Sequence, residues 1–414
     1  MGIVRVKVDV GMIDSVSLKG TKNKFVKRLF ENLEGKPGTK TAIERAIFTA
    51  SNYPGISIDK TSFRRKHGEG ILTVRVSQVT DQLQVTFDNY GTKTSGPVRA
   101  RLAVDKHGVF SDRDWLGAQL LMTPTDPEEL TFVSARYSNI VTDGGTRLAL
   151  TGAAGRTKRT FEDGAIVAKS RSRFAAATLT MPLIQSTKAD ISFNLEGAFL
   201  ALDGNFSDGR FRDDDIATVS ASASGNAKVA GGRLAGGVAV IRGLDILGAT
   251  QANDPMASRS DGSSQFSKGE LWLNWTRKLG QGYSVRTAVS GQVASRPLLS
   301  SQEIDLGGPR FGRGFDYSER SGDQGVLASF ELRKFVSKPA KNISSAQFYA
   351  FVDGGYVDNL RLGSGSGSLV STGGGVRASV GKIDLGVEVA VPVKGRRESG
   401  GKSPKLNATI AFSF

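Results

Sequence analysis

From about residue 80 to the C-terminus, apolar and polar residues alternate in short segments that recur roughly every 15 to 25 residues, separated by Gly, Asp, Asn and Ser clusters. The last segment is the cleanest: Leu406, Ala408, Ile410, Phe412 and Phe414 alternate with Asn407, Thr409, Ala411 and Ser413. In the same way Leu83, Val85 and Phe87 face away from Gln84, Thr86 and Asp88, and Leu271, Leu273 and Trp275 from Glu270, Trp272 and Asn274. A period of two belongs to strands, with one face suited to lipid and the other to water. Segments are predicted to start near Gln82, Val98, Trp115, Glu129, Thr146, Ser172, Ala189, Ile216, Gly232, Ser267, Tyr283, Gly325, Ser345, Ser368, Lys382 and Lys405. A soluble sandwich also alternates, but this many segments favours a closed barrel. An even number lets one chain begin and end on the same side without an exposed edge. The reading is a mainly β fold, a 16-stranded antiparallel transmembrane barrel over 80–414.

Residues 1–79 read differently. Val4, Val6, Val8 and Val10 alternate, and Ile13, Val16 and Leu18 continue the extended pattern to Gly20. Phe25, Leu29 and Phe30, with Leu33 behind, fall at helical spacing; Thr41 precedes a second run in which Ile43, Ala46, Ile47 and Ala50 share a face. Tyr53-Pro54-Gly55 ends that run, and two strands are expected over 56–63 and 70–79 around a basic turn, Arg64-Arg65-Lys66. The order β-α-α-β-β predicts a small α+β domain with helices on one face of a short sheet. Under this arrangement the domain lies in the periplasm, odd-numbered barrel connections face outward, and the long ones, 252–266 and 298–324, are extracellular. The Gly/Ser tract 363–368 reads as a flexible loop.

Composition narrows the function. No stretch reaches the roughly 18 to 20 apolar residues of a spanning helix, and barrel strands need only about 9 to 11. The 414 residues contain no Cys and two His, His67 and His107, so disulfides, thiolate chemistry and His-rich metal centres have no material. No catalytic residue, metal or cofactor is expected. Gly401-Lys402-Ser403 is the nearest approach to a phosphate loop, and Arg396 stands where its first glycine belongs. The net charge of +15 is spread along the chain without a nucleic-acid motif; a basic lumen, or attraction to anionic lipid at the rims, is its expected use, with no nucleic-acid partner. Met1 to Gly20 lacks the pattern of a signal peptide, so the sequence is read as a mature form, an expressed portion, or a fragment.

One connection stands apart. Arg313-Gly314-Phe315 lies between glycine turns, followed by Gly322-Asp323-Gln324-Gly325 and an inward Glu331; in the next segment Phe351-Val352-Asp353-Gly354-Gly355 puts Asp353 on the lumen side with Gln347 and Tyr349. A guanidinium on a loop folded into the lumen would form a forked, charge-assisted pair with that carboxylate and fix the loop inside the pore. The plainer alternative is an exposed loop arginine and a rim aspartate.

In this order the two motifs resemble the loop-and-strand signature of the outer-membrane barrel-assembly and secretion superfamily. Within it they are most similar to the two-partner secretion transporters of the TpsB type, which export haemolysins and filamentous haemagglutinins. Glu44-Arg45-Ala46, Tyr53-Pro54-Gly55 and Val85-Thr86-Phe87-Asp88-Asn89-Tyr90-Gly91 add to the resemblance. It departs at Gly312, where a branched apolar residue is usual, and at Tyr53, where leucine is frequent. The resemblance implies that 1–79 is the family's second POTRA domain, that the loop of about 298–324 inserts into the lumen, and that a signal peptide, plug helix and first POTRA domain are missing. It further implies a secreted exoprotein client of haemagglutinin or haemolysin type, outer-membrane lipids and lipopolysaccharide as surroundings, and the barrel-assembly machinery as a partner in biogenesis. Phe412 and Phe414 would carry the signal read by that machinery. The alternative within the superfamily is an assembly factor that inserts other barrels; porins and outer-membrane enzymes are disfavoured by the N-terminal module and the poverty in His.

Overall fold

A computed structural model describes residues 11–51, 53, 55–78, 81–92, 96–160, 167–206, 209–397 and 401–414; the expected alternation at Val4 to Val10 lies outside the described residues. Sixteen antiparallel strands among them close into a barrel, from Gln82–Asp88 to Lys405–Ser413. Large apolar side chains on the outside, among them Leu148, Val240, Phe330, Phe348, Val352 and Leu406, are exposed, as a lipid-facing surface requires. Strand starts fall within a few residues of the expected positions, except where strands Val167–Gln185 and Gly209–Val229 begin earlier. Their polar outer ends hide the alternation.

Closure is made by Gln84–Asp88 pairing with Thr409–Ser413 in five register steps. Asn89 extends this seam with its side chain: Nδ2 donates to the Leu406 carbonyl at 2.8 Å, and Oδ1 accepts from the Ala408 amide at 2.7 Å. A carboxamide carries one acceptor and one donor, like a peptide unit, so Asn89 stands in for the next ladder rung. Asp88 beside it accepts from Arg99 Nε at 2.8 Å and from the Tyr90 amide at 2.9 Å.

The N-terminal module is a three-stranded sheet in which Glu69–Gln78 is central, parallel to Ser15–Lys19 and antiparallel to Ile56–Lys66. Helices α1 (Lys24–Glu31) and α2 (Lys40–Ser51) bury Phe25, Val26, Phe30, Ala46 and Ala50 against Leu72, Val74 and Val76. The basic triplet is not a turn. Arg64, Arg65 and Lys66 belong to the strand and pair with Ile71, Gly70 and Glu69. The chain reverses instead at His67 and Gly68, whose φ values of 53° and 89° suit a two-residue primed turn.

The module docks on the ends of the barrel strands, which fixes the side it occupies. Asn23 caps α1 by accepting from the Val26 amide, while its Nδ2 donates to the Asp112 carbonyl at 2.7 Å. Tyr53 donates to the Asp114 carbonyl at 3.2 Å, and barrel residue Ile140 joins the module's core. Asp114 is fully buried and accepts from the amides of Val109, Phe110 and Ser111, which shapes the turn that receives the module. Burial pushes the Tyr53 phenol up to about 12, so it remains a donor at physiological pH. Tyr53→Phe is expected to keep the module folded while weakening docking by about 0.5–1.5 kcal/mol. Faster amide exchange at 109–114, with unchanged exchange in the central strand of the sheet, is the signature.

Candidate functional site: a loop locked in the lumen

The connection between strands Tyr283–Ala294 and Gln324–Ala340 leaves the barrel at the end opposite the module and folds back inside. It is more ordered than a solvated loop: a turn of 3-10 helix, Ser300–Gln302, leads to a hairpin of Ile304–Leu306 with Arg320–Gly322. Phe315 at the hairpin's tip is fully buried with Ile304, Leu306, Leu327, Val357 and Leu369. Two glycines shape this tip. Gly312 has φ +88°, and a Cβ on Gly314 would lie 2.9 Å from the Pro392 nitrogen and 3.0 Å from Ser371 Cβ, so the loop backbone rests directly on the barrel wall.

Arg313 is thereby carried into a nest of carboxylates. Its Nε donates to Asp353 at 2.6 Å, and its Nη1 to Glu331 at 3.0 Å and Glu388 at 2.9 Å. The guanidinium carbon stands 3.4 Å from the centroid of the Phe351 ring, a cation–π contact in a dry setting. Asp353 also accepts from the backbone amides of Gly312 and Arg313 and from the Ser371 hydroxyl. Arg313, Asp353, Glu331 and Glu388 are all at most 5% exposed. Such a group holds only if every charge is matched, because losing one partner from a buried pair costs about 3–5 kcal/mol. The three acids are balanced by Arg313, by Arg377, which donates to Glu331 at 3.0 Å, and by Arg333, whose Nε donates to Glu331 at 2.5 Å. Toward the periplasmic end the cluster opens on a lumenal cavity of about 480 Å³, into which Arg286, Arg310 and Arg377 project.

The loop is also tied at its far side. Lys405 Nζ donates to the Phe315 carbonyl and to Asp316, at 3.2 and 2.8 Å, and Arg99 lies over Tyr317. A second buried network holds the base of the hairpin. Asp323 accepts from Arg259 Nη1 at 2.9 Å through both oxygens, and from the amides of Leu298 and Leu360, each at 2.7 Å. Arg259 further binds Asp261 and Glu303, at 2.7 and 3.0 Å. Three outer connections, 245–266, 295–323 and 359–366, thus meet on one aspartate and one arginine.

Glu303 provides a titratable handle. Burial raises its carboxyl above the ordinary 4.5, with Asp323 adding, although Ser321 and Arg259 pull it down. The docked loop therefore takes up a proton before the free loop does. This contribution to docking is full below 4.5 and is lost as pH rises through the raised value. In the wild type, proteolytic protection of 295–323 should increase as pH falls through that window; in Glu303→Gln that component should vanish.

The structure brings Arg313, Gly314, Phe315, Glu331, Phe351 and Asp353 into one cluster. Gly322 and Asp323 lie at the hairpin base, and Gly325 and Gly355 sit where neighbouring strand backbones close tightly, within 2.7 Å of the Tyr356 and Val326 carbonyls for an added Cβ. Phe412 lies in the last strand and Phe414 just beyond it, exposed beside the seam. Sequence reasoning missed Glu388, Ser371 and Arg259. Glu388 had a visible signal, an acid at the inward parity of Val387-Glu388-Val389. Arg259 had none, lying in a polar stretch 64 residues from Asp323.

Residues 70–378 match the family described as haemolysin secretion/activation protein ShlB/FhaC/HecB. The chain belongs to this family. The heme/hemopexin transporter protein HuxB of Haemophilus influenzae (strain 86-028NP) is 24% identical over 97% of this chain and 73% of its own length. The outer membrane transporter CdiB of Dickeya dadantii (strain 3937) is 21% identical over 94% and 70%. Among solved structures, CdiB from Escherichia coli superposes with a TM-score of 0.84 at 16% identity, covering 98% of this chain and 76% of that one. The family member described here is an outer-membrane transporter of the two-partner secretion type, with its barrel as the translocation pore and a secreted exoprotein as client. The family is one of secretion pores, not of enzymes.

Proposed function

We propose that residues 1–79 form a POTRA domain that captures the unfolded exoprotein by strand addition, and that the client then passes through the barrel over 80–414 when the loop of 298–324 gives way. The observation that carries the second half is the Arg313 cluster, which plugs the lumen with a device that is releasable because it is held by ion pairs and one aromatic seat. For capture, the strand Ile56–Lys66 is the favoured edge: beyond a bulge at Asp59, residues 60–66 pair regularly on one side, and the sheet order leaves the other side open among the described residues. The opposite edge is engaged, since the Val16 amide donates to Glu34 at 2.8 Å. A contribution of α2 to capture is disfavoured, because Thr49 and Glu44 on it already contact Gln185 and Thr187 of the barrel. Main-chain pairing gives strand addition its affinity with little sequence demand.

Phe412 and Phe414 are assigned the part of an assembly signal for the barrel-assembly machinery, and outer-membrane lipid and lipopolysaccharide surround the outer wall. Capture is tested by placing a photo-crosslinking residue at Arg64 or at Thr41 and stalling export of the exoprotein client. Adducts are expected from position 64. Adducts from position 41 alone would overturn strand addition while leaving the pore assignment in place.

A further inference from the structure

The outer wall of the barrel carries basic residues in an arrangement that is unfavourable in isolation. On neighbouring strands Arg147–Thr160 and Val167–Gln185, Arg156 stands directly opposite Arg171, and Lys158 directly opposite Lys169. Like charges in such facing positions repel. Arg173 adds to them from the next outward position. The acids paired with this group among the described residues are Glu128, 2.9 Å from Lys158, and Asp203, 3.8 Å from Arg173. The sequence from 156 to 173 contains six basic and two acidic residues, so it remains strongly positive. The Glu128 carboxyl registers that field: Lys158 lowers it, by hydrogen bond and by charge, and Lys169 and Arg156 lower it further.

Parity and height place the group. On strand Arg147–Thr160 the outward positions run Leu148, Leu150, Gly152, Ala154, then Arg156 and Lys158. Leu148 and Leu150 are exposed, as lipid-facing residues are. At about 3.4 Å per residue Arg156 lies about 27 Å along the strand from Leu148, comparable with the roughly 25 Å apolar belt of such barrels once tilt is included. The module docks at the other end, so these cations sit at the outer-leaflet surface. Between them runs a groove of about 410 Å³ in which Arg156, Arg171 and Arg173 stand beside Val133 and Ala154. Cations above and apolar wall below is the pattern of a phosphorylated, multiply acylated lipid.

We propose that this face of strands Leu130–Ile140 to Ala189–Phe206 is a binding site for lipopolysaccharide, with Arg156, Arg171 and Arg173 holding the phosphates of its lipid A and the wall beneath them receiving acyl chains. The inference rests on the outer-membrane placement. Guanidinium groups suit it, because each presents a planar fork of donors to phosphate oxygens, and a bound anion turns the repulsion between facing cations into shared attraction.

The test uses the whole chain in detergent, with folding verified by the gel shift of unheated barrel. Bisphosphorylated lipid A is expected to raise the unfolding temperature of the wild type, and dephosphorylated lipid A or inorganic phosphate to do so far less. Arg156→Ala/Arg171→Ala/Arg173→Ala should weaken lipid A binding at least tenfold. Arg171→Ala alone should unfold at a higher temperature than wild type without anionic lipid, and at a lower one with lipid A, a reversal that a merely structural residue would not show. Equal responses to phosphorylated and dephosphorylated lipid A in the wild type would overturn the proposal, a result that needs no variant. So would undiminished binding by the triple variant, while secretion and the pore assignment would be untouched.

Discussion

Export of the exoprotein client is expected to fall at least roughly tenfold in Arg313→Ala and in Asp353→Ala, and hardly further when the two are combined. The reason is the sharing of partners. Removing Arg313 strips a cation from Asp353, Glu331 and Glu388 at once and leaves Asp353 and Glu388 buried without one, Glu331 keeping Arg333 and Arg377. Removing Asp353 takes the acceptor from Arg313 Nε and from two loop amides together, leaving the guanidinium held by Glu331 and Glu388 alone. Either change costs about 3–5 kcal/mol if the loop is to stay where it is, enough to move it out of its seat. The double variant has already lost the pair and has little left to lose, so the cycle should show strong coupling. Arg313→Lys tests the fork specifically: an ammonium keeps the charge but cannot address Asp353, Glu331 and Glu388 from one planar group, and it should restore only part of the export. Secreted exoprotein is quantified in the medium, with barrel folding checked by heat modifiability. Wild-type secretion from both single variants would sink the idea that this loop governs translocation.

Much of the fold could be read from alternation because lipid imposes it: an outward residue such as Leu148, Phe348 or Leu406 must be apolar, and its neighbours face water. The strands of 167–185 and 209–229 escaped that reading at their outer ends, where the first holds Lys169, Arg171 and Arg173 on its outward face and the second opens on the polar run Gly209-Arg210-Phe211-Arg212-Asp213-Asp214-Asp215. The turn of the module was misplaced for a similar reason, since three consecutive basic residues look like a solvated bend, whereas a strand with an open edge can carry Arg64, Arg65 and Lys66 just as well. The Arg313 and Asp353 motifs could be located in sequence because glycines and alternation bracket them. Their pairing with Glu388, Ser371 and Lys405 could not, even though Glu388 shows an inward parity, because these come from strands whose register with the loop is set only when the barrel closes. The network of Arg259 and Asp323 is of the same kind: it joins three loops that alternation does not describe.

That network yields the last expected result. Asp323 is completely buried, and its four contacts come from Arg259, Leu298 and Leu360. In Asp323→Ala two backbone amides lose their acceptor, and Arg259 loses one of its three carboxylate partners while keeping Asp261 and Glu303. Each unsatisfied amide costs about 1–3 kcal/mol. Such a sum is comparable with what the outer connections gain by burying Leu298 and Leu299 against Phe266 and Ile216, about 1.5–3 kcal/mol per side chain, so the outer cap should loosen and its loops open more often. The Arg313 seat lies deeper on the barrel wall, where Arg313 keeps its own partners Asp353, Glu331 and Glu388, and it remains occupied. The two lesions are therefore separable: Asp323→Ala should raise protease sensitivity at 245–266, 295–303 and 359–366 while the loop tip at 307–316 stays protected, and Arg313→Ala should expose the tip first. Asp323→Asn, which keeps the shape and one acceptor oxygen but loses the charge opposite Arg259, should fall between wild type and alanine. If cleavage in Asp323→Ala instead began at the tip, the base and tip of the loop would form one cooperative unit, and the hairpin Ile304–Leu306 with Arg320–Gly322 would transmit the loss from one to the other.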